Sequence, residues 1–256
     1  MRKNTGSDRN RFLCPTLLLL LPLALVSALS GAAPNRSAAQ TAAPGPAAFP
    51  LSAGTSWVYQ AVVRWGAGNS TAAQEKLIAW KMEVDRVIPR GDMVAAVVKG
   101  FPRDLDRSKG DTIPVESLIV ESGGAKFYWI PPAFFKSVLA RLENPADKLE
   151  NLTTANQIFL QLPLAMGDKF CDMTGMIRTD GFYCWVAGDP QAADLSGVQG
   201  IPAGEHTAYP VNFLTANDST SYDFVPGVGI TRYRFQVQGT QTDTELHLEE
   251  FHPAAH

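Results

Sequence analysis

The side chains best suited to chemistry are few, and their spacing suits chemistry poorly. The chain has four histidines in 256 residues, and His247, His252 and His256 all fall in the last ten positions. In an extended segment successive side chains alternate faces, so Glu245, His247 and Glu249 would share one side and could crowd a cation. The same alternation turns Leu246 and Leu248 the other way, so the expected state is the wetted face of a final strand. His252 and His256 sit in a Pro-Ala-Ala tail with no neighbours to orient them as ligands. A second oxygen-rich stretch, Asp104-Leu105-Asp106-Arg107-Ser108-Lys109-Gly110-Asp111, places acids at alternate positions as calcium loops do. There Lys109 stands where glycine is needed, Gly110 and Glu116 each come one place late, and Arg107 and Lys109 cancel the charge. A hydrated hairpin loop is expected instead.

The short signatures of catalysis are missing. There is no G-x-S-x-G elbow, no H-E-x-x-H, no phosphate loop, and Gly227-Val228-Gly229 lacks the third glycine of a dinucleotide site. No metal, cofactor or catalytic residue is expected. A scattered hydrolase site remains the alternative reading, and it requires acids converging with His206 in a pocket. Aromatic side chains are the other resource. Trp57, Tyr59, Trp80, Met82, Trp129, Phe134 and Phe135 are the candidate ligand-binding residues, lining an apolar cleft under a curved sheet with a helix as its lid.

The elements that would position these groups are mostly strands. From Trp57 onward the dominant period is two: Trp57, Tyr59, Ala61, Val63 and Trp65 share a face, and Ile78, Trp80, Met82 and Val84 alternate with Lys81, Glu83 and Asp85. Gly91-Asp92 turns the chain into Met93–Val98. Further strands are expected at 115–121, 126–130, 158–162, 198–201, 207–214, 221–225, 230–237 and 242–251. Only Ala133 through Leu142 reads as helix, preceded by Pro131-Pro132, of which Pro132 suits an N-terminal turn, with Phe134, Phe135, Val138, Leu139 and Leu142 at helical spacing and Asn144-Pro145 as its stop. Residues 146–157 read as a weaker helical or irregular connection. The fold class is therefore mainly β, an antiparallel curved sheet or half-barrel with one short helix between strands.

The sulfurs and the N-terminus speak to location. Arg2, Lys3, Arg9 and Arg11 precede an apolar run from Leu17 to Leu29 and then the small residues Ser30-Gly31-Ala32-Ala33, the order of an export signal. At about 13 residues the run is short of the roughly 20 a spanning helix needs, so residues 1–32 read as a signal peptide. Any membrane contact is then confined to the leader before cleavage. Residues 33–48 are an Ala/Pro-rich spacer, and 49–256 a single β domain. Without the leader 18 basic residues face 24 acidic ones, a net charge of −6, which gives no electrostatic reason to hold nucleic acid. Cys171 and Cys184 would then be the only cysteines. They lie on two expected strands, Asp168–Met173 and Gly181–Val186, joined by a turn at 178–181, and a hairpin disulfide follows in an exported chain. Asn35, Asn69, Asn151 and Asn217 each open an N-x-[ST] triplet and would be surface sites.

Two motifs look familiar. Phe49-Pro50-Leu51-Ser52-Ala53-Gly54-Thr55-Ser56-Trp57-Val58-Tyr59 resembles the F-P-L-x-x-G-x-x-W-x-Y opening of a broad group of exported bacterial β proteins of unknown function. Ile201-Pro202-Ala203-Gly204-Glu205-His206-Thr207-Ala208 and Pro226-Gly227-Val228-Gly229-Ile230 resemble the group's closing motifs. The resemblance implies an antiparallel sheet curved like the half-barrels of periplasmic lipoprotein carriers, and implies no activity. The expected function is an exported, non-enzymatic β protein that binds an apolar small molecule or a protein partner.

Overall fold

Alternation of apolar and polar side chains resolves into one antiparallel sheet of two meanders. The computed structural model describes residues 48–66, 74–171, 182–238 and 242–255. The leader, nearly all of the spacer, Asn35, Asn69, the 178–181 turn and His256 lie outside them. The first meander is β1 (Ser56–Trp65), β2 (Gln74–Arg90), β3 (Met93–Lys99), β4 (Glu116–Ser122), β5 (Lys126–Ile130) and β6 (Ile158–Gln161). The second is β7 (Lys169–Cys171), β8 (Cys184–Ala187), β9 (Gln191–Ala193), β10 (His206–Leu214), β11 (Asp218–Val225), β12 (Gly229–Val237) and β13 (Asp243–His252). Pairing of β1 with β13 joins the two halves, and the order runs β6-β5-β4-β3-β2-β1-β13-β12-β11-β10-β8-β7, with β9 added to β10. The terminal strands β6 and β7 lie beside each other, so the sheet curls into a nearly closed barrel with a seam between them.

The inward face is packed with aromatic and aliphatic side chains, among them Trp57, Tyr59, Trp80, Met82, Phe127, Phe159, Tyr222, Phe224, Tyr233 and Leu246. Segments that are not strands complete this core, among them those carrying Leu164 and Val228. Phe49 and Leu51 enter from the N-terminal side, and Phe101 and Leu105 enter on the loop after β3, which contains the 3-10 turn Pro102–Leu105.

The one α-helix among the described residues, α1 (Pro132–Glu143), begins on Pro132, whose missing N–H costs nothing at a helix start. It buries Phe135, Val138 and Leu142 against Ala95, Val97, Leu118, Val120 and Ile130. Those strand residues alternate with the inward-facing Ala96, Val98 and Ile119, so α1 covers the outer face of β3–β5. This corrects the expected lid: the helix lies on the side of the sheet away from the aromatic core. Arg90 holds its C-terminal end, donating to the Leu142 carbonyl, which the helix itself leaves unpaired, and to the carbonyls of Asn144 and Asp147 just beyond.

β12 and β13 pair only between Arg232–His247 and Gln236–Asp243, and then part. Residue Gln199 takes the vacated place beside β13: its N–H donates to Glu249 and its carbonyl accepts from Phe251. The expected strand at 198–201 is thus a single bridge and not a strand, because one wedged residue fills the split. A Cβ on Gly200 would stand 1.9 Å from the Phe251 carbonyl oxygen, so only glycine passes there.

Candidate functional site

The seven side chains expected to bind a ligand fall in three places. Trp57, Tyr59, Trp80 and Met82 lie wholly within the core, each 2% exposed or less. Trp129 packs partly against the same core, its ring stacked on Phe101 at 5.7 Å and covered by the Arg103 guanidinium at 4.6 Å. Phe135 belongs to the helix–sheet contact on the outer face, and Phe134 is 54% exposed on α1. The aromatic set therefore does not converge on one cleft.

Two of them have a different task. The Trp57 indole N–H donates to the Val228 carbonyl at 2.6 Å, and the Tyr59 hydroxyl donates to the Ile230 carbonyl at 2.9 Å. The acceptors lie just before β12 and at its start, where β13 has turned away. The ring of Phe49 packs so closely that a Cβ on Gly229 would meet it at 3.0 Å, and the Gly227 N–H donates to the Ala48 carbonyl at 2.8 Å. The opening motif around Phe49, Trp57 and Tyr59 and the closing motif Pro226–Ile230 thus form one contact across the barrel, which repairs the backbone hydrogen bonds lost at the split.

The apolar cleft that the described residues do contain sits at one end of the barrel, beside the seam. Its volume is about 360 Å³, and Ala125 of the β4–β5 turn, Leu162, Pro163 and Leu164 of the β6–β7 connection, Tyr209 of β10 and Pro226 line it. No charged side chain does. Sequence patterning missed this site because its walls come from turns and connections, where alternation carries no signal. Across the Phe49 strap, a second recess of about 320 Å³ is lined by Leu51, Val87, Val94 and Glu121, with Phe49 itself forming part of the wall.

A polar cluster closes another part of the barrel. Asp106, with 14% of its side chain exposed, accepts from the Tyr233 hydroxyl at 2.8 and 3.0 Å and lies 3.7 Å from the Arg103 guanidinium. Burial lifts its carboxyl to about 7, against the pull of Arg103 and Tyr233 and with the nearby charges of Asp218 and Asp104 adding to the rise. Asp104 is raised to about 6 by burial, while its bond from the Val115 N–H acts in the opposite sense. Asp104 and Asp106, two of the acids that read as a poor calcium loop, therefore fasten the loop to Val115, just before β4, and to Tyr233 on β12. Alternate spacing found these residues; their buried partners were not legible.

The described histidines lie apart from this cluster. His247 and His252 are exposed and pair with Glu245 and Glu250 at 3.0 Å. His206 borders an open pocket of about 400 Å³ with Asp194 and Ser196. The Ser196 hydroxyl donates to Asp194 at 2.7 Å, whereas the His206 Nε2 meets the Pro202 carbonyl at 2.9 Å. The nucleophile-to-base hydrogen bond that acyl transfer requires is not formed there. Among the described residues no group of three His, Cys, Asp or Glu side chains is placed to hold a metal ion. Cys184 is buried, and the β7–β8 register sets its backbone directly across from that of Cys171, whose side chain is outside the described atoms. Asn151 and Asn217 are exposed.

The chain matches no protein-family profile and no curated protein. Two solved structures resemble it in outline. A predicted exported protein with a YmcC-like fold from Bacteroides fragilis is 14% identical, with 80% of this chain and 98% of that one covered and a TM-score of 0.36. A predicted lipoprotein from Parabacteroides distasonis is 14% identical, with 80% and 97% covered and a TM-score of 0.35. Likenesses this distant assign the chain neither a function nor a ligand.

Proposed function

We propose that this protein is an exported, non-enzymatic β module that binds an apolar small molecule, and that the binding site is the cleft beside the barrel seam. The leader-like N-terminus supports export. The cleft carries the binding reading: it is concave, uncharged and walled by aliphatic side chains, two prolines and one tyrosine, within the range of roughly 300–1,000 Å³ typical of small-ligand sites. The barrel interior is already filled by the protein's own aromatic rings, so an apolar guest finds room at the barrel's end and not beneath the sheet. A dansyl-labelled fatty acid should show saturable, blue-shifted emission with the purified protein. Ala125→Trp places an indole in the cleft at a turn position and should weaken that binding at least tenfold, about 1.4 kcal/mol, without lowering the melting temperature. Equal binding by the variant would overturn the assignment.

Export also implies a closed disulfide between Cys171 and Cys184. Directly opposed residues in an antiparallel pair stand about 4.5–5.5 Å apart at Cα, inside the range a disulfide spans, and the two cysteines are such a pair. The unfolded, unreduced domain should titrate no thiol from either cysteine. Cys184→Ser should cost roughly 2–4 kcal/mol in denaturant unfolding under oxidising conditions. A full thiol count in the untreated protein would refute the bond.

A further inference from the structure

The parting of β12 and β13 leaves a crevice on the outer face. β9 pairs with β10, and Gln199 is wedged beside β13, so the connection between them bridges over β11 and β12. Beneath that bridge is a cavity of about 270 Å³ whose polar lining is Gln191 on β9, Asp194 beside it, Asp223 on β11, Thr231 and Arg232 on β12 and His247 on β13, with Leu195 and Val198 among its apolar walls. The Asp194 carboxylate accepts from the Ser196 N–H and hydroxyl. The charges there are not equally committed. Glu245 takes the Arg232 guanidinium at 2.7 Å and the His247 ring at 3.0 Å. The Thr231 hydroxyl donates to the backbone carbonyl of Asp223 and leaves its carboxylate alone. Among the described residues the half-buried Asp223 carboxylate accepts no hydrogen bond, and burial raises its pKa against the fields of Arg232 and His247. With Arg232 paired to Glu245 and Asp194 hydrogen-bonded by Ser196, Asp223 is the lining carboxylate left without a donor among the described residues.

We propose that this crevice is a binding site for a primary ammonium group carried on a short aliphatic stem, with the ammonium donating to the Asp223 carboxylate and the stem lying against Leu195 and Val198. A partly desolvated carboxylate gains most from a cation that also donates hydrogen bonds, and the small volume limits the guest to a few carbons. A free amine and a lysine side chain share this chemistry.

The test is a titration of the folded protein with n-butylammonium chloride, followed by backbone amide shifts, with sodium butyrate as the control. Saturable shifts confined to 191–198, 223, 231–232 and 247–248 are expected, absent with butyrate. Asp223→Asn should weaken them at least tenfold, and Ala125→Trp, which blocks the seam cleft, should leave them unchanged. Ala192→Trp gives a second, steric block from β9 should the Asn variant fail to fold. A blocked lysine amide, titrated alongside, distinguishes the sources: tighter binding than n-butylammonium indicates a protein lysine, weaker binding a free amine. Unsaturable shifts, butyrate binding at the same amides, or undiminished binding by both variants would each overturn the proposal.

Discussion

Asp106→Asn should make the protein more stable at and above pH 7 and remove most of the stability change between pH 4 and 7. Burial lifts the Asp106 carboxyl from its ordinary 3.8 to about 7, so between those values the folded protein holds a proton that the unfolded chain has released. Wild-type stability then falls as pH rises through that window and is flat above it. A rise of about 3 units corresponds to roughly 4 kcal/mol at most, and the side chain is sufficiently buried for that figure to serve as an upper bound. The groups facing it are Arg103 from its own loop, Asp104 beside it, Tyr233 from β12 and Asp218 from β11. Asn retains an acceptor for the Tyr233 hydroxyl while shedding the charge, so the loop stays docked. Asp104, raised to about 6, should leave a smaller slope of the same sign in the variant. Asp147 works the other way: its bond from Arg141 lowers its pKa, and its contribution is lost on acidification below the ordinary carboxylate range. Urea unfolding at pH 4, 5.5, 7 and 8.5 on both proteins reads the difference. Parallel curves would show that Asp106 ionises freely in the folded state.

Phe49→Ala should be the most damaging single truncation in the N-terminal segment, costing roughly 3–5 kcal/mol and lowering the melting temperature by roughly 6–20 °C. Its ring is 2% exposed and meets Trp57, Phe127, Phe159 and Phe224 at centroid distances of 5.6 to 6.3 Å. These partners come from four strands or connections, β1, β5, β6 and β11, so the cavity cannot collapse by moving any one of them. Gly229→Ala should cost less, about 1–3 kcal/mol, since its φ of +104° disfavours any side chain and the added methyl meets the Phe49 ring at 3.0 Å. In the double variant part of that overpacking disappears, because the methyl then faces the space the ring has left. The two costs should therefore sum to more than the measured loss. Strict additivity would mean that Phe49 and Gly229 do not pack together.

The strand content of this chain was written in its alternation because a half-buried strand leaves a period of two wherever it runs. The reading placed β5 at 126–130, as observed, and came within a few residues at most other strands. It read the helix within a residue at either end, since Pro132 and Asn144-Pro145 mark the ends chemically. β9 went unread because Gln191-Ala192-Ala193 has no large side chain to alternate. The expected strand at 198–201 failed for a related reason: its apolar residues answer to a wedge in the β12–β13 split and not to a ladder.

What the residues alone determined, then, was a β domain with one helix and strands that each have one buried and one wetter face. Which face the helix covers, and what fills the inside, depended on tertiary contacts. Ala95 and Ala96 differ by one position, yet one meets α1 and the other the aromatic core. Periodicity says that two faces exist without saying which neighbour each receives. The same holds for Trp57 and Tyr59. Their type advertised a binding surface, but their indole and hydroxyl serve carbonyls 171 residues away in sequence. That need arises only because two strands separate in space, and no local pattern records where strands part.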